Sequence, residues 1–382
     1  MDDLLDRDFR ANPSYDLVLF DRLPDEERRA LAGLADDPGF YGVLRRRGAP
    51  GPGPRSVDRD TALLFLTLRE PGRLPSYVRA ALGESASRAI GRLVADGVLE
   101  VESGGSFVSG PAALDQFGGS RREAGSGRIA VLSLAALRAA QALPVEDPER
   151  LAWTLYTYNR RPLTPRWQRA LPDAAAVERF LGIAPEGPHR RRLRGSWEPA
   201  PSEYWLSWRF RRRTGTPAPS AVSYKLYVSP LPEVLGEGFG AILDALTAAR
   251  AYQFKVGSNA LGLLRPDKIV AYFSGFEPLA EAAAVVCRRL AGAPAQGVPF
   301  TSEIGGDGLL SWGVDPPRET PAADEGESWR LWLARRLAQA LLAARSATAE
   351  AAEPWRFALD RLRLEGIDTA TWTPGTLLWR EG

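Results

Sequence analysis

Between Ala221 and Leu290 the apolar residues switch repeatedly between a period of two and one of about 3.6, and this limits the possible architectures more than any other feature. AVSYKLYVSP alternates as a strand does: Val222, Tyr224, Leu226 and Val228 face one way, Lys225 and Tyr227 the other. LPEVLGEGFGAILDALTAAR has helical spacing despite three glycines near its start. YQFKVG is a second strand, with Tyr252, Phe254 and Val256 opposite Gln253 and Lys255. After a Gly/Asn loop and LLRPD, KIVAYF is a third strand and FEPLAEAAAVVCRRL a second helix. This β-α-β-β-α order predicts helices packed over a small mixed sheet.

The same stretch holds every lysine. Only Lys225, Lys255 and Lys268 among the 49 basic residues are lysine; the rest are arginine. A chain this rich in Ala, Arg, Gly and Pro replaces lysine by arginine wherever either serves. Lysine gives up its proton when desolvated, whereas arginine in practice does not. Three lysines within this span therefore read as positions that need an amine, set against chance clustering on a solvated face.

Other chemistries are poorly supported. The single histidine, His189, lies in HRRRLR, and the single cysteine, Cys287, in an apolar helical pattern. Neither a zinc site of the usual kind nor a Ser-His-Asp or Cys-His mechanism is expected, and no intramolecular disulfide is possible. A net charge of +2 draws the chain to neither nucleic acid nor membrane. The charged start MDDLLDRDFR and the lack of a long apolar run lead us to expect a cytoplasmic protein.

We expect an α+β chain in four parts. Residues 1–54 read as a helical segment, with DEERRALAGLA and DDPGFYGVLRRRG as its helices and GAPGPGPR as a linker. Residues 55–116 resemble a winged helix: three helices in DRDTALLFLTLREPG, PSYVRAAL and SASRAIGRLVADG, then a hairpin in GVLEVESGGSFVSG. Its third helix offers only Ser85, Ser87, Arg88 and Arg92 to phosphates, so peptide binding by strand addition stands beside DNA binding and a purely structural role. Residues 117–129 read as a second linker, and 130–382 as a mixed α/β domain with its core at 220–315. Within it, HRRRLRGSWEPAPSEYWLSWRFRRR surrounds an aromatic strand with arginines, suiting single-stranded nucleic acid, an acidic peptide or a solvated strand edge. ESWRLWLARRLAQALLAAR and EPWRFALDRLRLEGID read as helices, and ATWTPGTLLWREG as a tail whose Trp372 and Trp379 pack on the core or on a partner.

If the two lysine strands are neighbours, Lys225, Tyr227 and Lys255 converge, with Arg265 and Lys268 at the loop end. Clustered, partly buried cations lower one another's pKa, so one lysine becomes a base near pH 7 while the others hold an anion. GVPFTSEIGGDGLLSWGVDPP is Gly-rich and in position to wrap the site, but it is no Walker A loop and carries no kinase signature.

YKLYVSP, then FKVG, then LRPDKIVAYF resemble the HopA-type effector domain, as found in standalone lyases of class V lanthipeptide and thioamitide biosynthesis, which are related in function to the phosphothreonine lyases of type III effectors. The resemblance covers roughly residues 220–315. It implies elimination of phosphate from phosphoserine or phosphothreonine in a precursor peptide, without metal or organic cofactor. Lys255 is then the base, Lys225 and Arg265 hold the phosphate, and Lys268 assists. The type III phosphothreonine lyases have a histidine as general acid two residues after the first strand lysine; here that position is Tyr227, which puts the acid in doubt. The implied partners are the precursor peptide, through its leader and phosphorylated core, and a kinase-like protein. Two other readings stay open: a leader-binding scaffold or cyclase in the same kind of pathway, and a winged-helix regulator that senses an anion.

Overall fold

The computed structural model describes residues 4–35, 37–47, 55–117, 125–211, 224–316, 327–345 and 353–375. It divides into two compact units, one mainly Met1–Arg122 and Ala340–Gly366, the other mainly Glu123–Glu319, Asp324–Gln339 and Ile367–Gly382. GAPGPGP, residues 118–124 of the linker expected at 117–129, and Val222, Arg212, Arg213 and Trp379 lie outside the described residues, and the helix Arg128–Gln141 begins within the end of that expected linker.

In the first unit, DEERRALAGLA forms the helix Asp25–Ala30 and a 3-10 turn, as its spacing predicts. DDPGFYGVLRRRG does not form a helix. Phe40–Arg46 is a strand between Tyr15–Leu19 and Arg55–Asp58, antiparallel to both. Its aromatic and β-branched residues suit a pleated surface, and Gly42 admits close pairing, since a Cβ there would lie 2.4 Å from Val18 O. The three helices and hairpin expected next are Arg59–Thr67, Ser76–Leu82, Ala86–Ala95, and Leu99–Ser103 with Ser106–Val108. Asp8–Ala11 joins that hairpin, giving the strand order 72–73, 8–11, 99–103, 106–108. The helix Pro354–Leu364 belongs to this unit rather than to a 130–382 domain, because Arg361 pairs with Asp96 at 2.8 Å and Glu365 at 2.6 Å.

The second unit is built on a sheet that is neither small nor mixed. Among the described residues it has seven strands, antiparallel throughout, in the order 302–304, 310–314, 224–228, 269–273, 253–257, 205–210, 197–200. The alternation is as expected: Leu226, Val228, Phe254, Val256, Ile269, Ala271 and Phe273 form one apolar face. Pro232–Ala248 and Phe276–Arg289 cover that face through Leu235, Phe239, Ile242, Leu246, Leu279 and Val286. Each such side chain contributes about 1.5–3 kcal/mol on full burial, so the sheet is held rigidly from behind. The Gly-rich segment after Val298 does not wrap the site. Ser302–Ile304 and Leu310–Val314 are an edge hairpin beside the Lys225 strand. The aromatic strand Trp205–Phe210 is not a solvated edge either, for Trp197–Ala200 pairs outside it. Trp372 packs edge-on against Phe300 at 5.1 Å and is 3% exposed.

Candidate functional site

The sheet's other face carries the polar residues. Lys225 and Lys255 are not on neighbouring strands; Ile269–Phe273 runs between them. Lys225 pairs in register with Tyr272, and Lys255 with Val270. Directly opposed residues share a face, so the lysines straddle the central strand and meet over one ring. The Lys225 Nζ lies 5.9 Å and the Lys255 Nζ 5.6 Å from the Tyr272 centroid. Convergence thus survives a different strand order from the expected one.

Lys255 is the least compensated cation here. Its Nζ stands 4.5 Å from the Trp205 ring, and among the described residues it has no hydrogen bond or ion pair. Burial, followed by Lys225 and Arg265 and opposed by Asp267, lowers its pKa to about 8. Lys225, by contrast, forms an ion pair with Asp315.

Arg265 is placed by a tight turn. Gly257 and Gly262 touch backbone to backbone, a Cβ on Gly257 meeting Gly262 C at 2.3 Å. Asn259 Oδ1 accepts from Gly262 N at 3.0 Å and starts the short helix Ala260–Leu263. The Arg265 fork is already occupied: Nε and Nη2 donate to Asp267 at 2.8 Å each, and Nη2 also donates to the Tyr156 hydroxyl at 3.0 Å. Its guanidinium lies 5.1 Å from the Trp205 ring, so one indole flanks both Lys255 and Arg265. Arg330, 1% exposed, donates to Asp267 Oδ2 and to the carbonyls of Tyr156 and Pro299. Burial works against the Asp267 charge, but Arg330 and the Arg265 fork outweigh it and hold the carboxyl well below the usual range.

Lys268 is committed elsewhere. It is fully buried and donates to Gln296 Oε1 at 2.6 Å. Gln296 in turn donates to the carbonyls of Asn159 and Leu264, so this lysine ties loops together. Burial lowers its pKa to about 7. Unfolded lysine titrates near 10.4, so between about 7 and that value the unfolded chain binds more protons. Stability therefore rises with pH across that window. We expect Lys268→Met to flatten the rise, measured as denaturant stability near neutrality and near pH 10; an unchanged slope would place the titrating group elsewhere.

Tyr227 shares the face but is 3% exposed, and burial raises its phenol well above the ordinary value. Tyr272 is likewise pushed up by burial. Both phenols stay protonated, so each keeps a proton to donate.

The patterning left out Tyr156, Trp205, Asp267, Tyr272 and Arg330. Asp147 caps the helix Pro148–Tyr156 by accepting from Arg150 N at 2.6 Å, and Tyr156 sits at its far end. Asp-Pro-Glu before an apolar run was a readable signal for that helix start. Tyr272 was legible as the polar-face member of KIVAYF. Nothing local marked Asp267 or Arg330 as partners across 63 residues.

No sequence-family profile matches the chain, and no curated protein matches it. Among solved structures it is similar to an effector protein from Pseudomonas syringae pv. tomato strain DC3000, with 10% identity over 63% of this chain and 95% of the other and a TM-score of 0.37. An effector from Pseudomonas syringae pv. syringae strain 61 gives 14% identity, the same coverage and 0.37. The phosphothreonine lyase SpvC, an effector from Salmonella, gives 11% identity over 47% of this chain and 89% of the other, with 0.26.

Proposed function

We propose that this face eliminates phosphate from phosphothreonine or phosphoserine in a peptide, leaving dehydrobutyrine or dehydroalanine. The observation that carries the reading is Lys255: a half-buried amine with no hydrogen bond or ion pair among the described residues, a pKa near 8, and Lys225 and Arg265 near enough to lower it. Neutral Lys255 takes the Cα proton. The electron pair becomes the Cα–Cβ double bond, the Cβ–O bond breaks, and phosphate leaves. Lys225 stabilises the negative charge that develops on the neighbouring carbonyl oxygen, in a site with little water to compete. Tyr227 is the donor to the departing phosphate oxygen. The step needs no oxidant, metal or organic cofactor.

In this reading the substrate is a ribosomally made precursor peptide, phosphorylated by a kinase-like partner in the cytoplasm. The elements from Arg59 to Val108 act as a winged-helix module that takes the leader by strand addition. Supporting this, among the described residues Ser106–Val108 is paired on one side only, by Leu99–Ser103. No helix among the described residues is long and apolar enough to cross a membrane.

The burial of Tyr227 favours one competing reading, in which the face binds the phosphopeptide for a scaffold or cyclisation role without eliminating. Mass spectrometry separates the two. A leader-bearing phosphothreonine peptide incubated with the protein is expected to lose the mass of phosphoric acid. Demonstrated binding with an unchanged mass would discard the lyase reading.

A further inference from the structure

The cations that the sequence assigns to phosphate are mostly committed elsewhere. Lys225 is paired with Asp315, and Lys268 is enclosed with Gln296. The Arg265 Nε and Nη2 are taken by Asp267 and Tyr156, and all three Arg330 nitrogens donate inside the protein. A phosphate needs a donor that is not already used.

The turn after the helix Pro148–Tyr156 supplies one. Asn159 adopts a left-handed conformation (φ 66°), which asparagine tolerates better than most residues. Its side-chain amide donates to Gln296 O at 2.7 Å and Gly297 O at 3.0 Å, and its carbonyl accepts from Gln296 Nε2 at 2.6 Å. Arg161 N donates to Leu264 O at 2.9 Å, next to Arg265. The turn is thus pinned from both sides to the loops that carry Arg265 and Lys268. Arg160 stands at its centre, exposed, and among the described residues its guanidinium has no hydrogen bond or ion pair. The bond from Arg161 N to Leu264 O seats Arg160 beside the loop that carries Arg265, and in keeping with this, partial covering and then the Arg265 charge hold Arg160 below its ordinary pKa.

We propose that Arg160 grips the substrate phosphate beside Arg265, and that the pair selects a phosphate monoester dianion. The charges around them fit such a ligand. Lys225 and Asp315 cancel, Asp267 offsets one of Arg265 and Arg330, and Arg160 adds a second unmatched positive charge. A phosphate monoester carries nearly two negative charges at neutral pH. A planar guanidinium also meets phosphate oxygens two at a time, which an ammonium does not.

This assignment rests on reading the lysine face as a phosphate-elimination site, but its test does not need turnover. Orthophosphate binding to the full chain is measured by calorimetry near neutral pH for wild type, Arg160→Gln, Arg160→Lys and the exposed control Arg150→Gln. Arg160→Gln is expected to weaken binding by about 10- to 100-fold, the worth of a charge-assisted contact. Arg160→Lys should fall between, and Arg150→Gln should match wild type. With a phosphothreonine peptide, Arg160→Gln should raise KM far more than it lowers kcat. Equal orthophosphate affinity in wild type and Arg160→Gln, or no binding to wild type, overturns the assignment. Weakened orthophosphate binding in Arg160→Gln, together with a wild type that eliminates nothing, leaves Arg160 in place and removes the lyase reading alone.

Discussion

Replacing Lys255 by methionine is expected to lower the rate of phosphate elimination by about 10²- to 10⁴-fold, the usual contribution of a positioned general base. Methionine keeps much of the stem that fills the space between Trp205 and Tyr272 and removes only the amine. Substrate affinity should change far less, because the phosphate is held by other residues. The pH dependence gives a second signature. Lys255 must be neutral to accept a proton, so wild-type kcat should rise with pH through about 8 and then level off. The residual rate of Lys255→Met should lack that rise. Single-turnover assays across this range check both points. A methionine variant with wild-type kcat and the same acid limb would assign the base elsewhere.

The second large effect is on stability. Asp267→Asn is expected to cost about 3–5 kcal/mol, the range for breaking a buried pair by removing one partner. The substitution is almost isosteric, so packing is preserved. What changes is that Arg330, 1% exposed, and the Arg265 fork lose their shared counter-charge. Adding Arg330→Met to Asp267→Asn should restore part of the loss, since the stranded charge is then gone. The pH sign follows from the depressed carboxyl. Its stabilisation is fully present above the unfolded value of about 3.9 and is lost as pH falls toward the folded one. Wild type should therefore lose stability below about pH 4 more steeply than Asp267→Asn. Denaturant unfolding of both proteins at neutral and acid pH measures the cost and the slope. Wild-type stability in Asp267→Asn would mean that the arginines find other partners.

Much of the second unit was readable because period-two alternation says which side chains share a face. Leu226 and Phe254 went to the buried face, and Lys225 and Lys255 to the other, as YKLYV and QFKVG imply. Alternation does not say which strands are neighbours. The insertion of Ile269–Phe273 between the lysine strands, and the extension of the sheet to seven strands, depend on long-range pairing. The same limit explains Phe40–Arg46, whose partners Tyr15–Leu19 and Arg55–Asp58 lie on either side in sequence. At the site, the retention of lysine in an arginine-rich chain marked three positions alike, and only the family resemblance singled out Lys255 as the base. The occupation of Arg265 was not foreseen, because Asp267 in LRPDK looks like ordinary loop chemistry until Arg330 is brought to it. Nor was the enclosure of Lys268, whose partner Gln296 lies 28 residues away. Burial also proved the largest cause of the lowered Lys255 pKa, ahead of the neighbouring cations.

The most direct test of the central claim follows the Cα hydrogen. A phosphothreonine peptide deuterated at that carbon is incubated with the protein, and the product is read by mass spectrometry. Proton abstraction by Lys255 predicts a product that has lost both phosphoric acid and the deuterium, formed more slowly than from the unlabelled peptide when this step limits the rate. A product with an intact threonine that keeps the deuterium and has lost only its phosphoryl group would show hydrolysis, and would contradict the account.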